Sequence, residues 1–215
     1  RCSEMMNRPH REMSMITCHL GNGSSLAAIK DGVVVDTTMG LTPLDGFMMG
    51  TRSGSLDPSI VTFLQEKEDL SPKEIDTILN KKSGLLGVSG VSSDDRDVTK
   101  AELEGNQRAI LAHQMLVYQI SKYIGAYTVA MGGCDAIVFT AGLGENHVGH
   151  RQKICEAVAC LGVKVDHDRN EEMIRGKCGE ISTDDSPIKV FVIPTNEELV
   201  IARDTRDIIE KMLYY

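Results

Sequence analysis

Arg52 is the only basic residue in the stretch 40–56, GLTPLDGFMMGTRSGSL, a polar, glycine-rich run without helical or strand periodicity. A planar guanidinium placed alone among small residues suits an oxyanion, because its fork donates to two oxygens at once where a lysine offers only a point charge. The plain alternative is a surface arginine that bonds loop carbonyls. Two other stretches have the composition of anion loops: Gly21-Asn22-Gly23-Ser24-Ser25 at the end of one apolar run, and Gly142-Leu143-Gly144-Glu145-Asn146 at the end of another. Glycine lets backbone amides approach a phosphate closely, and a helix start adds free N–H groups and a favourable dipole. A single Gly-x-Gly turn does no more than reverse the chain, and neither a Walker loop nor a dinucleotide Gly-x-Gly-x-x-Gly occurs. Two such loops at strand ends of one sheet, however, suggest a nucleotide cleft.

Other reactive side chains carry weaker signals. His147, His150, Cys155 and Cys160 come nearest to a metal cluster, but their spacing matches no familiar zinc site, and histidines at a helix start are ordinarily solvated. The six cysteines lie mostly in apolar segments without a Cys-x-x-Cys pair, which reads as reduced core thiols. Asp94 and Arg96, in SSDDRD, read by spacing alone as an exposed ion pair. Near the end, Thr195 followed by Glu198 fits a capping box, which leaves Glu197 as the freer carboxylate.

These groups need a scaffold, and 215 residues at 41% hydrophobic are enough for one large domain or two small ones. A net charge of -8 argues against a general nucleic-acid binder, so an anionic ligand must be held by a few placed cations, a metal ion or backbone amides. No apolar stretch approaches the roughly 18 residues of a membrane span, and no charged-then-apolar leader opens the chain, so a soluble, cytoplasmic protein is expected. The opening RCSEMMNRPHREM has no start methionine and no cap before it. Residues 1–14 are therefore expected to be the remnant of a preceding helix or interdomain segment, with the domain itself over 15–215.

Three strands are expected first, over 15–20, 25–30 and 33–38, the last two joined by an Asp31-Gly32 hairpin turn. Helices over 58–67 and 72–80 follow, opened by Asp57-Pro58 and Ser71-Pro72, each a capping residue and a proline, with Glu74 completing a capping box after Ser71. Apolar residues recur at helical spacing through 106–131, which marks a long helix burying one stripe. A buried strand over 136–140, a glycine loop over 141–146, a helix over 147–161, a strand over 188–193 and a closing helix over 196–214 complete the chain. Three antiparallel strands followed by alternating helix and strand is the order of a ribonuclease-H-like α/β fold, a mixed sheet with flanking helices.

The segments HLGNGSS, DTTMGLTPLDGFMMGTRSGSLDP, LNKKSGLLGVSG, SSDDRD, YIGAY, FTAGLGEN and IPTNEELVIARDT occur in the order found in the acetate kinase family. Over essentially the whole chain the sequence resembles the carboxy-terminal domain of that family, although propionate and butyrate kinases share much of the pattern. The resemblance implies a lobe of the actin and sugar-kinase superfamily that transfers a phosphoryl group reversibly between ATP and acetate, giving acetyl phosphate and ADP, with Mg²⁺. His19, Leu20, Gly21, Asn22 and Gly23 match the first phosphate-contacting loop. Asp94, Asp95 and Arg96 fall in the segment beside the adenosine, and Gly142, Leu143, Gly144, Glu145 and Asn146 match the second nucleotide loop. Arg52 matches the arginine that stabilises the phosphoryl group in transfer, and Glu197 the magnesium-associated glutamate. The resemblance also implies a homodimer and an amino-terminal domain, absent from this chain, that carries much of the acetate pocket, so this chain alone is expected to be inactive. A non-catalytic nucleotide-binding lobe of the same superfamily is the competing class.

Overall fold

The computed structural model describes residues 1–213. The chain opens with a short helix, α1 (Cys2–Met5), and a 3-10 turn (His10–Glu12), then runs into β1 (Ser14–Leu20), β2 (Ser24–Lys30) and β3 (Val33–Thr37). Asp31 and Gly32 take φ of 53° and 77°, the paired left-handed conformations of a tight hairpin whose twist matches its strands. α2 (Ser59–Glu68), α3 (Pro72–Lys81), α4 (Gly84–Ser89), α5 (Asp95–Leu103) and the long α6 (Gln107–Met131) precede β4 (Ala136–Thr140). Then come α7 (Ala141–Asn146), α8 (Val148–Ala157), α9 (His167–Glu172), β5 (Gly179–Glu180), β6 (Lys189–Val192) and α10 (Glu197–Leu213).

The six strands form one sheet in the order β3-β2-β1-β4-β6-β5. β1, β2 and β3 are antiparallel neighbours, β4 pairs parallel with both β1 and β6, and β5 is an antiparallel edge on β6. The meander followed by parallel strands is the expected ribonuclease-H-like order.

Period-two alternation in the strands divides the core in two. Ile16, Cys18 and Leu20 of β1, with Ile137 and Phe139 of β4, face the large core under α6. Met15, Ala136 and Val138 point to the other face, where Cys2 and Met13 cover them. Arg8 ties this opening segment down by donating to Asp135 Oδ1 at 2.7 Å, while Asp135 Oδ2 accepts the Ser14 amide at 2.8 Å.

The structure departs from the sequence reading where short elements are polar or rich in glycine. α4, α5 and α9 have too few apolar residues to announce themselves; α5 buries only Asp95, Val98 and Ala101, one residue per turn. Residues 141–146, expected as a glycine loop, form α7 instead. Glycine disfavours helix by roughly 1 kcal/mol per residue, but here it permits close packing: a Cβ on Gly144 would lie 3.4 Å from the Cys18 carbonyl oxygen and the Phe139 carbonyl carbon. The following helix ends at Ala157, and Ala159–Leu161 is a 3-10 turn.

The capping box at the last helix is also corrected. Asn196 is the cap, its Oδ1 accepting the Leu199 amide at 3.0 Å, because the Thr195 hydroxyl is already paired with that of Thr140 at 2.6 Å. Tyr214, included in the expected closing helix, lies outside the described residues. Asn196→Ala is expected to lower stability by about 0.5–2 kcal/mol, the range for a lost N-cap, and Glu198→Ala to leave it nearly unchanged. Thermal melting of the two variants distinguishes them.

Candidate functional site

β1 and β4 run side by side in parallel, with His19 opposite Thr140, so the segments that follow them leave the sheet at the same edge. That register brings the two glycine stretches together, and a Cβ on Gly21 would stand 3.5 Å from Cβ of Ala141. Ala141 itself takes φ of 64°, a left-handed conformation in which a non-glycine residue is strained and which turns the chain sharply from strand to helix. Ser24 closes the first loop by accepting the Gly21 amide at 3.1 Å and donating to the Gly21 carbonyl at 2.9 Å.

Between these segments and the start of α5 lies an open cleft of about 750 Å³. Gly21 and Asn22 line it from the first loop, Gly142, Leu143 and Asn146 from α7, and Asp94, Asp95 and Arg96 from the third side. His19 and Leu20 remain within β1, and Gly23, Gly144 and Glu145 do not line the cleft. Glu145 joins α7 to the start of α10, its Oε1 accepting the Thr195 amide at 3.0 Å. Glu197 faces a separate shallow recess with Thr195, Asn196 and Glu198.

Arg52 lies beside the first loop. Its Nη1 is 3.2 Å from where a Cβ on Gly23 would sit, so glycine there leaves room for the guanidinium. The same nitrogen donates to the Pro43 carbonyl at 3.2 Å. The loop carrying it is well braced. Phe47 is fully buried, the Met49 amide donates to the Arg52 carbonyl at 3.0 Å, and the Ser53 amide reaches the Leu79 carbonyl at 2.9 Å. Gly54 is required in this turn, since its φ is 72° and a Cβ would fall 2.5 Å from the Phe47 carbonyl carbon.

Asp94 and Arg96 form the ion pair that spacing suggested, at 2.6 Å, and Asp94 also caps α5 by accepting the Arg96 amide at 2.9 Å. The hydrogen bonds from Arg96, side chain first and then backbone, hold the Asp94 carboxyl down to about 2. Arg96 is largely exposed where it lines the cleft.

The sequence reading missed what lies beneath Asp95. The grouping of His147, His150, Cys155 and Cys160 is not assembled: Cys155 is buried, its thiol pushed up to about 12 by burial, and Cys160 is exposed. Asp95 instead meets His150 Nε2 at 2.7 Å, His113 Nε2 at 3.2 Å and, through its other oxygen, His147 Nε2 at 3.2 Å. His113 Nδ1 makes a short hydrogen bond to Glu102, which Lys153 also contacts at 2.8 Å. Burial opposes the charge on Asp95, but the imidazoles of His113 and His150 beside it outweigh burial and hold the carboxyl well below the usual range. A signal for His113 was present. It occupies the buried stripe of α6 with Ala109, Ala112, Leu116 and Ile120, a core position where an imidazole needs a partner.

The sequence and structure match known proteins closely. A family model described as the acetokinase family covers residues 1–203. Among curated relatives, acetate kinase from Halothermothrix orenii is 58% identical over 98% of this chain and 52% of its own length. Acetate kinase from Thermotoga maritima is 56% identical over 99% and 53%. Among solved structures, Porphyromonas gingivalis acetate kinase superposes with a TM-score of 0.93 at 48% identity, covering 97% of this chain and 52% of that one. A propionate kinase from Francisella tularensis gives 0.86 at 40% identity, covering 93% and 50%. The chain thus spans about half the length of the curated relatives it matches. Together with the sheet order and the paired glycine segments, the match over 203 of 215 residues shows that this chain belongs to the acetokinase family.

Proposed function

We propose that this chain is the nucleotide-binding, carboxy-terminal half of an acetate kinase, which transfers a phosphoryl group between ATP and acetate to give ADP and acetyl phosphate. The observation that carries the reading is the meeting of two glycine segments at the ends of adjacent parallel strands, beside a cleft large enough for a nucleotide. The Asn22 amide then donates to phosphate oxygens while Gly21 leaves room for their approach, the exposed Arg96 and the capping Asp94 meet the nucleoside, and Arg52 receives the charge of the phosphoryl group in transfer. The partner half supplies the rest of the acetate pocket, residues 1–14 lead from it, and the resemblance implies a cytoplasmic homodimer.

Mg²⁺ suits the recess at the start of α10, where Glu197 and Glu198 with Thr195 and Asn196 offer oxygen donors of the hard kind that Mg²⁺ prefers. Bound with a nucleotide, the ion neutralises phosphate charge. Glu197 would hold it, directly or through water. Glu197→Ala in the full-length protein is expected to abolish Mg²⁺-dependent turnover with little change in melting temperature. A Mg²⁺ titration of activity checks this, and a comparable loss in Glu198→Ala instead would assign the metal to the neighbouring glutamate.

The function itself is tested by ATP-dependent formation of acyl hydroxamate from acetate in the full-length protein. Turnover with propionate or butyrate in preference to acetate would move the substrate within the family. Nucleotide hydrolysis without acyl phosphate would favour the non-catalytic lobe.

A further inference from the structure

We propose that Asp95, His113 and His150 form a binding site for one divalent transition-metal ion, Zn²⁺ by its donor set, buried behind the wall of the cleft. One donor atom from each residue lies within 4.8 Å of the other two, and all three residues are buried. They come from three helices, α5, α6 and α8, so an ion there would pin together the elements that back the cleft.

The hydrogen bonding leaves a place for a cation. His113 Nδ1 faces Glu102, so in the neutral ring the proton sits on Nδ1 and the Nε2 lone pair points at Asp95 Oδ1, 3.2 Å away. Two electron pairs facing each other in the core require a positive charge between them, a second ring proton in stripped protein or a metal ion in its place. His113 Nε2 is fully buried and has no hydrogen-bond partner. The same carboxylate oxygen meets His150 Nε2 at 2.7 Å. The 3.2 Å separation is near the spacing of about 3.3 Å between donors that share a tetrahedral zinc with bonds of 2.0–2.1 Å, and the 2.7 Å hydrogen bond from His150 would lengthen to admit the ion. Two imidazoles and one carboxylate are an established zinc donor set and leave one coordination position for water.

The surrounding groups are those that orient metal ligands. Glu102 holds His113 from behind, in the carboxylate–histidine–metal arrangement, and Lys153 at 2.8 Å balances the charge of Glu102. His147 Nδ1 accepts the His150 amide at 3.0 Å, which places its ring proton on Nε2, aimed at Asp95 Oδ2. Its ring stacks on His150 with centroids 3.8 Å apart. His147 also lines the cleft, so it joins the buried site to the ligand space.

The test needs no nucleotide and no turnover, so it is independent of the proposed phosphoryl transfer. Protein stripped with a chelator and titrated with Zn²⁺ against a competing indicator should bind one equivalent tightly and melt at a higher temperature. Co²⁺ in its place should give the strong absorption of a tetrahedral site. His113→Gln and His150→Gln should each weaken binding by about 100-fold or more, beyond the typical effect of an outer partner, while His167→Gln, at an exposed position, should leave it unchanged. No tight equivalent, or binding that survives both core substitutions, overturns the site. Should a substitution prevent folding, the unsubstituted protein decides: Co²⁺ must shift the ring resonances of His113 and His150, and their absence contradicts the proposal. A protonated His113 in stripped protein that takes up no metal would likewise overturn it.

Discussion

Arg52→Ala in the full-length protein is expected to lower kcat by about 10³-fold or more while nucleotide affinity changes little. In phosphoryl transfer the transition state is loose, with negative charge on the oxygens in flight, and arginines that meet this charge contribute on the order of 10³ to 10⁵. Arg52 lies beside the first glycine segment, on a loop braced by buried Phe47 and backbone bonds to the helices, so it needs little reorganisation when charge develops. Its one hydrogen bond to loop backbone, to Pro43, is too weak a role to make the substitution a folding defect. Arg52→Lys should rescue little, because an ammonium cannot donate to two oxygens in one plane. Steady-state kinetics with separate nucleotide binding decides: loss of binding with kcat preserved would give Arg52 a ground-state role.

Arg151→Met is expected to be the most destabilising substitution, by about 3–5 kcal/mol. Arg151 is fully buried, and among the described residues no carboxylate pairs with it. It donates instead to Asn170 Oδ1 at 2.7 Å, to the Asn170 carbonyl at 2.8 Å, to the Met173 carbonyl at 2.9 Å and to the Gly144 carbonyl at 3.0 Å. Burial lowers its pKa to about 10, against a smaller opposing effect of Cys155. Methionine fills much of the volume but leaves several buried acceptors without donors, each costing about 1–3 kcal/mol before relaxation. For a domain of this size the melting temperature should fall by roughly 6–20 °C. Because one of those bonds holds the carbonyl of Gly144, nucleotide affinity should fall as well. A melting temperature within 2 °C of the parent would show that the surrounding loop satisfies itself without the arginine.

Strong periodicity and turn chemistry made much of the fold readable from the residues. The Asp31-Gly32 hairpin, the capping box at Ser71 and Glu74 and the buried stripe of α6 each correspond to a local rule that tertiary contacts reinforce. The ribonuclease-H-like class followed from the succession of strands and helices, while the two-residue edge strand β5 was too short to read. α7 was not readable because Gly142 and Gly144 have low helix propensity, and only packing against β1 and β4 stabilises the turn. The cap of α10 was misread because the Thr195 hydroxyl pairs across the sheet edge with Thr140, a contact 55 residues away that spacing does not reveal. The site divides in the same way. Glycines and the isolated arginine could be picked out by type, whereas the Asp95–His113–His150 cluster assembles from three helices and leaves only a histidine on an apolar stripe as its trace.

The most direct measurement is ADP binding to this chain followed residue by residue in backbone amide NMR. Shifts concentrated in residues 21–23 and 142–146, with Arg96 responding from the third wall, are the expected result. Failure to bind adenine nucleotide, or binding that perturbs neither glycine segment, would contradict the placement of the nucleotide between the ends of β1 and β4.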